Sequence, residues 1–149
     1  MRDAHVASQR TIRDRPEPYL LDADLSVTEA ARFLREHRIG GAPIVRDGEL
    51  VGFASERDIV FRVVAEKKDP DATKVADVMS SPVTTATAED TVEECEKMMR
   101  SAHVRHLPIL LDGKVVACLS LRDLLQTELH QAEVEVRCLS EYVRGTTAE

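Results

Sequence analysis

Two tetrapeptides bring a hydroxyl, a guanidinium and a carboxylate together at one spacing: Ser55-Glu56-Arg57-Asp58 and Ser120-Leu121-Arg122-Asp123. Each ends an apolar run that reads as a strand and opens a segment that reads as a helix. The first turn of a helix leaves N–H groups without intrahelical partners and carries partial positive charge, so phosphate is stabilised there. Ser55 or Ser120 can donate to a phosphate or sugar oxygen, and Arg57 or Arg122 supplies a local cation. Asp58 and Asp123 can accept from two vicinal ribose hydroxyls, as an acidic residue does in dinucleotide-binding folds. The same Ser-x-x-Asp spacing is also a helix capping box, in which the aspartate bonds the serine's own backbone N–H. Spacing alone leaves both readings open.

The elements that would position these residues come as a duplication. A shift of 65 positions lays residues 26–60 on 91–125 without a gap, and eleven of 35 pairs are identical, including Pro43/Pro108, Asp47/Asp112, Gly48/Gly113 and Asp58/Asp123. In each copy a first helix is predicted, over Ser26–Arg38 and Thr91–Ala102, with apolar faces Val27, Ala30, Ala31, Leu34 and Val92, Cys95, Met98, Met99. Ser26 with Glu29, and Thr91 with Glu94, have capping-box spacing. Two apolar runs around Asp47-Gly48 and Asp112-Gly113 predict hairpins. Second helices follow from Ser55 toward Glu66 and from Ser120 past Leu125, and Tyr19–Leu21 and Val83–Thr87 read as short entering strands. The expected fold is α/β (α+β), a β-α-β-β-α unit used twice. Repeat 1 spans 10–69, repeat 2 spans 74–128 and a tail spans 129–145, with a polar helix expected from Leu129 to Tyr142 that ends before Gly145. A short helix is expected at Val75–Met79 between the repeats. A unit of about 60 residues buries too little surface alone, and two packed face to face create a cleft.

Composition narrows the function classes. The 149 residues are 43% apolar and 32% charged, a globular balance, and with no Trp the core must be aliphatic. The net charge of −7, with bases interleaved among acids, opposes a nucleic-acid partner. No apolar run suits a membrane span, and the polar start Met1-Arg2-Asp3-Ala4-His5 does not read as a secretory signal. Cys95, Cys118 and Cys138 have no CxxC pairing and read as thiols of a reducing, cytoplasmic compartment. The five histidines lack paired metal spacing, and no nucleophile–base pair stands out, so neither a metal site nor an enzyme is expected.

The string Gly52-Phe53-Ala54-Ser55-Glu56-Arg57-Asp58, the Arg105-His106-Leu107-Pro108-Ile109 strand and the Asp-Gly hairpins together resemble the cystathionine β-synthase (CBS) domain. Val78-Met79-Ser80-Ser81-Pro82 resembles the opening of a second such repeat, and the likeness covers residues 10 to 145. The resemblance implies a pseudo-twofold pair with two clefts that bind AMP, ADP, ATP or S-adenosylmethionine as regulatory ligands, with no cofactor required. It carries Asp58 and Asp123 over as ribose acceptors, with Ser55 and Ser120 beside the phosphate or ribose, while Arg57 and Arg122 read equally as local cations or as solvated helix residues. Arg105 and His106 fall at phosphate positions; Gly41, Ala42, Pro43, Leu107 and Pro108 fall against adenine; Thr84 and Thr85 lie on the entering strand. It further implies a homodimer formed through apolar helix faces, acting on a protein partner the sequence does not identify.

Two departures make the clefts unequal: Ala117 stands where the first copy has Gly52, and Arg105-His106 where it has Gly40-Gly41. At most one strong ligand site per chain is therefore expected, in either of the two clefts. The competing expectation is an interaction scaffold whose Ser-Arg-Asp segments serve only as caps.

Overall fold

A computed structural model describes residues 17–146. The polar N-terminal stretch and residues 10–16 of repeat 1 lie outside the described residues. Each repeat builds a three-stranded sheet. In the first, β1 (Leu21–Asp22) runs parallel to β2 (Gly41–Arg46), which turns back antiparallel into β3 (Glu49–Ser55). In the second, β4 (Ala86–Thr87), β5 (His106–Leu111) and β6 (Lys114–Ser120) repeat that order. The register repeats with it: Leu21 faces Ile44 and Gly41 faces Ser55, as Ala86 faces Ile109 and His106 faces Ser120.

Local chemistry explains the elements. Asp47 and Gly48 (φ 52° and 80°) and Asp112 and Gly113 (φ 51° and 78°) all have positive φ, the requirement of a tight type I′ hairpin turn. In both hairpins the register slips by one, leaving Val51 and Val116 as the bulged residues. The first helices, α1 (Val27–His37) and α3 (Val92–Ala102), open on reciprocal caps. Ser26 Oγ accepts from the Glu29 N–H at 3.1 Å, and Thr91 Oγ1 from that of Glu94 at 3.1 Å. Both helices end on a left-handed residue, Arg38 and His103, each at φ 53°.

Each sheet has its own core. Ala30 and Leu34 of α1 pack on Leu21, Ala42, Ile44 and Ala54; Cys95 and Met99 of α3 pack on Ala86, Leu107, Ile109 and Leu119. Both cores are aliphatic, as the composition required. Burial, with Asp90 and Glu94 nearby, pushes the Cys95 thiol up to about 11, so it stays protonated and acts as an apolar filler.

Three elements differ from the sequence reading. The helix begun by Ser55 is α-helical only over α2 (Glu56–Ile59), then widens into a π-helical turn over Val60–Val64. Three of those five residues are valine, whose β-branching disfavours the α-helix. The wider turn puts Val63 in a small core with Val27 and Val78. The segment after residue 74 is a single 3-10 turn, Val75–Asp77, rather than a helix to Met79. The tail is one helix with its predecessor, α4 (Leu121–Thr146), because nothing between them breaks it; it continues through Gly145, a residue that costs about 1 kcal/mol in a helix.

Candidate functional site

The two sheets meet where β3 lies against β6. Beside that line opens a cleft of about 650 Å³ whose walls come from both repeats. Repeat 1 supplies Glu17, Pro18 and Tyr19 ahead of β1, then Arg38, Ile39, Gly40, Gly41 and Pro43. Repeat 2 supplies His106, Ala117, Cys118, Ser120, Arg122 and Asp123. Strand alternation sorts the neighbours: Gly41 and Pro43 face the cleft, while Ala42 and Ile44 face the core. A side chain at Gly41 is excluded from the other direction, since a Cβ there would come 2.6 Å from the Phe53 ring and 2.9 Å from the Ala54 carbonyl. Tyr19 is held at the mouth by stacking on His37 at 4.2 Å between ring centroids.

Both aspartates fold back as caps. Asp58 Oδ2 accepts from the Ser55 N–H at 3.0 Å, and Asp123 Oδ2 from the Ser120 N–H at 3.2 Å. There the likeness ends. Asp58 is buried: its Oδ1 accepts from the Ser80 hydroxyl at 3.0 Å, and Arg62 Nε stands 4.0 Å away. Arg62 also donates to the carbonyls of Val78 (3.1 Å) and Met79 (2.7 Å). Ser80 pairs with Phe53 through two backbone bonds, and the Met79 side chain lies over Gly52. The chain's own connecting segment thus closes over Asp58, while Asp123 lines the open cleft.

A methyl at Gly52 would overlap the Met79 sulfur and γ-carbon. Gly52→Ala is expected to force Met79 outward and cost about 1–3 kcal/mol in urea unfolding, whereas Ala117→Gly, at the equivalent place in repeat 2, costs no more than a helix-free glycine exchange of about 1 kcal/mol.

The pseudo-twofold axis pairs unlike residues. His106 stacks on Phe53 at 5.2 Å; the positions 65 earlier and later are Gly41 and Cys118, too small to make such a stack. Burial lowers the His106 pKa below the ordinary imidazole range; Asp123 and Glu56 oppose the shift and Arg105 adds to it. The unfolded chain therefore holds this proton more tightly than the fold does. The stability carried by neutral His106 is present above about pH 6.5 and is lost as pH falls through its lowered value. His106→Gln should flatten that acid limb in urea unfolding series run from about pH 5 to 8.

Residues 11–65 and 75–130 each match the family model described as the CBS domain. This chain belongs to the CBS-domain family. An uncharacterized protein of Methanopyrus kandleri is 39% identical over 105 residues, a match that covers 69% of this chain and 54% of that relative's length. A solved protein with CBS domains from Burkholderia ambifaria aligns with a TM-score of 0.75 at 25% identity, covering 83% of this chain and 93% of that one. A CBS-domain protein of Pyrobaculum aerophilum, solved in complex with AMP, aligns with a TM-score of 0.66 at 29% identity, covering 73% of this chain and 84% of that one.

Within this CBS tandem, the cleft collects Gly41, Pro43, His106, Ser120, Arg122 and Asp123 from the residues singled out by sequence. Ser55 and Asp58 lie in the closed counterpart, and Arg57 is exposed with its guanidinium 5.8 Å from the Phe61 ring. Leu107 is in the second core, Pro108 is buried beside it, and Arg105 is exposed, its carbonyl capping the Leu121 N–H at 2.8 Å. Thr84 and Thr85 are half-buried ahead of β4. Sequence reasoning noted Gly40 only as the counterpart of Arg105, and did not single out Arg38, Ile39, Cys118 or the Glu17–Tyr19 entry as site residues. The 65-residue offset would have found Tyr19, onto which the candidate Thr84 maps. Among the described residues no three His, Cys, Asp or Glu side chains are grouped to hold a metal ion, and no helix is long and apolar enough to cross a membrane.

Proposed function

We propose that this CBS tandem is a non-catalytic regulatory sensor that takes one adenosine nucleotide (AMP, ADP or ATP) or S-adenosylmethionine per chain, in the Asp123 cleft. The observation that carries this reading is the convergence of both repeats on that cleft, with Asp123 and Ser120 at one wall and Arg38, Arg122 and His106 around it. Its volume suits a nucleotide-sized ligand. Asp123 would accept from the ribose hydroxyls, the arginines would meet phosphate, and Tyr19, Ile39 and the Gly40-Gly41 backbone would bound the adenine. AMP in the Pyrobaculum relative supports the ligand class. The buried Asp58 favours the scaffold reading for the other half of the molecule, where the carboxylate caps α2 and holds Ser80 of the connecting segment.

Two copies would pair through apolar helix surface, to which Val60, Phe61, Val64 and Leu121 contribute exposed side chains, and a ligand would alter that pair's affinity for a regulated protein. A cytoplasmic setting agrees with the cysteine usage. Thermal melts with AMP, ADP, ATP and S-adenosylmethionine test the reading. A bound ligand at 100 times its Kd adds about 2.7 kcal/mol, a rise of about 5–10 °C for a chain of this size. Unchanged melts with all four would leave only the scaffold.

A further inference from the structure

The last helix runs far beyond the core it serves. Leu124 closes the second core, and α4 then continues to Thr146. Along that extension Leu129, Ala132, Val136, Leu139 and Val143 recur at alternating steps of three and four, with Leu125 continuing the spacing toward the body. This is the a/d pattern of a helix made to pack along another helix, about 20 Å of it. Leu125, Val136 and Leu139 are 51%, 62% and 65% exposed, so these seam positions are open to solvent.

The charges beside the seam decide what fits it. Its flanking e and g positions carry Glu128, Glu133 and Glu135 and no base, while Arg137 and Arg144 lie at b positions, farther round. Pairing with a second copy would be self-repelling. In a parallel pair the e and g positions of one copy offer no base to the acids of the other. In the antiparallel register that matches the apolar residues one for one, Glu133 and Glu135 each face their own duplicates. We propose that this seam docks an amphipathic helix of another protein, with apolar residues at the same three-four spacing flanked by Lys or Arg. The chain's net charge of −7 would draw such a helix in.

Two synthetic three-heptad peptides test this with the full chain, one with Leu at a and d and Lys at e and g, the other with Glu at e and g. Fluorescence anisotropy should show the basic peptide binding at least about tenfold more tightly than the acidic one, and weakening as salt rises to about 0.5 M. Glu133→Lys with Glu135→Lys should invert the preference. Val136→Asp with Leu139→Asp should abolish binding while the melting of the repeats is unchanged. Equal binding of the two peptides, or no binding of the basic one, overturns the proposal. So does sedimentation showing a dimer that Val136→Asp with Leu139→Asp turns into monomers.

Discussion

Asp58→Ala is expected to lower the unfolding free energy by about 2–4 kcal/mol, measured by urea denaturation. Two losses add. The cap on α2 goes, worth about 0.5–2 kcal/mol, and the Ser80 hydroxyl loses the acceptor it meets at 3.0 Å in a half-buried place, worth about 1–3 kcal/mol. Arg62 keeps its two carbonyl partners but loses the carboxylate beside its Nε, which at half exposure adds little. Ser80→Ala removes only a donor and should cost about 1 kcal/mol or less, since Asp58 retains its bonds from Ser55. The ordering of the two variants is the discriminating result. If Asp58→Ala stays within about 0.5 kcal/mol of the parent, the carboxylate is not what holds the connecting segment down.

That closure also marks where sequence reasoning stopped. The duplicated frame was legible because its signals are local: two Asp-Gly turns that need positive φ, two capping boxes, and one apolar periodicity repeated after 65 residues. The tetrapeptides were legible as well, and their double meaning was real, for both aspartates cap and only one lines the open cleft. What separates the two halves lies in tertiary partners that no local pattern announces. Arg62 reaches forward to carbonyls sixteen and seventeen residues ahead, and Met79 fits the notch left by Gly52. The difference between Gly52 and Ala117 makes the clefts unequal for a tertiary reason, because Met79 lies where a methyl on Gly52 would stand. The π-helical turn was likewise hidden, since a valine run disfavours the α-helix without saying what replaces it.

Asp123→Ala should weaken adenosine-nucleotide binding about 100-fold or more, whereas Asp58→Ala leaves the stoichiometry at one ligand per chain. The asymmetry follows from where each carboxylate is spent. Asp58 is already committed to Ser55 and Ser80 beneath a closed segment, so a ligand gains nothing from it. Asp123 lines a cleft that also presents Arg38, Arg122 and His106, and a ribose there would take hydrogen bonds from its hydroxyls to an ionised acceptor, worth about 1.5–3 kcal/mol each. Two such bonds account for a hundredfold or more, at 1.4 kcal/mol per factor of ten. Because Asp123 also caps α4, Asp123→Asn serves as the companion variant: its amide oxygen can keep the bond from the Ser120 N–H, but its neutral side chain cannot match a carboxylate at two hydroxyls. Isothermal titration of the parent and the three variants, with urea unfolding alongside, separates binding from folding. Binding retained by Asp123→Asn and Asp123→Ala but lost in a well-folded Asp58→Ala would place the ligand on the opposite side of the pseudo-twofold axis and reverse the assignment of the two clefts.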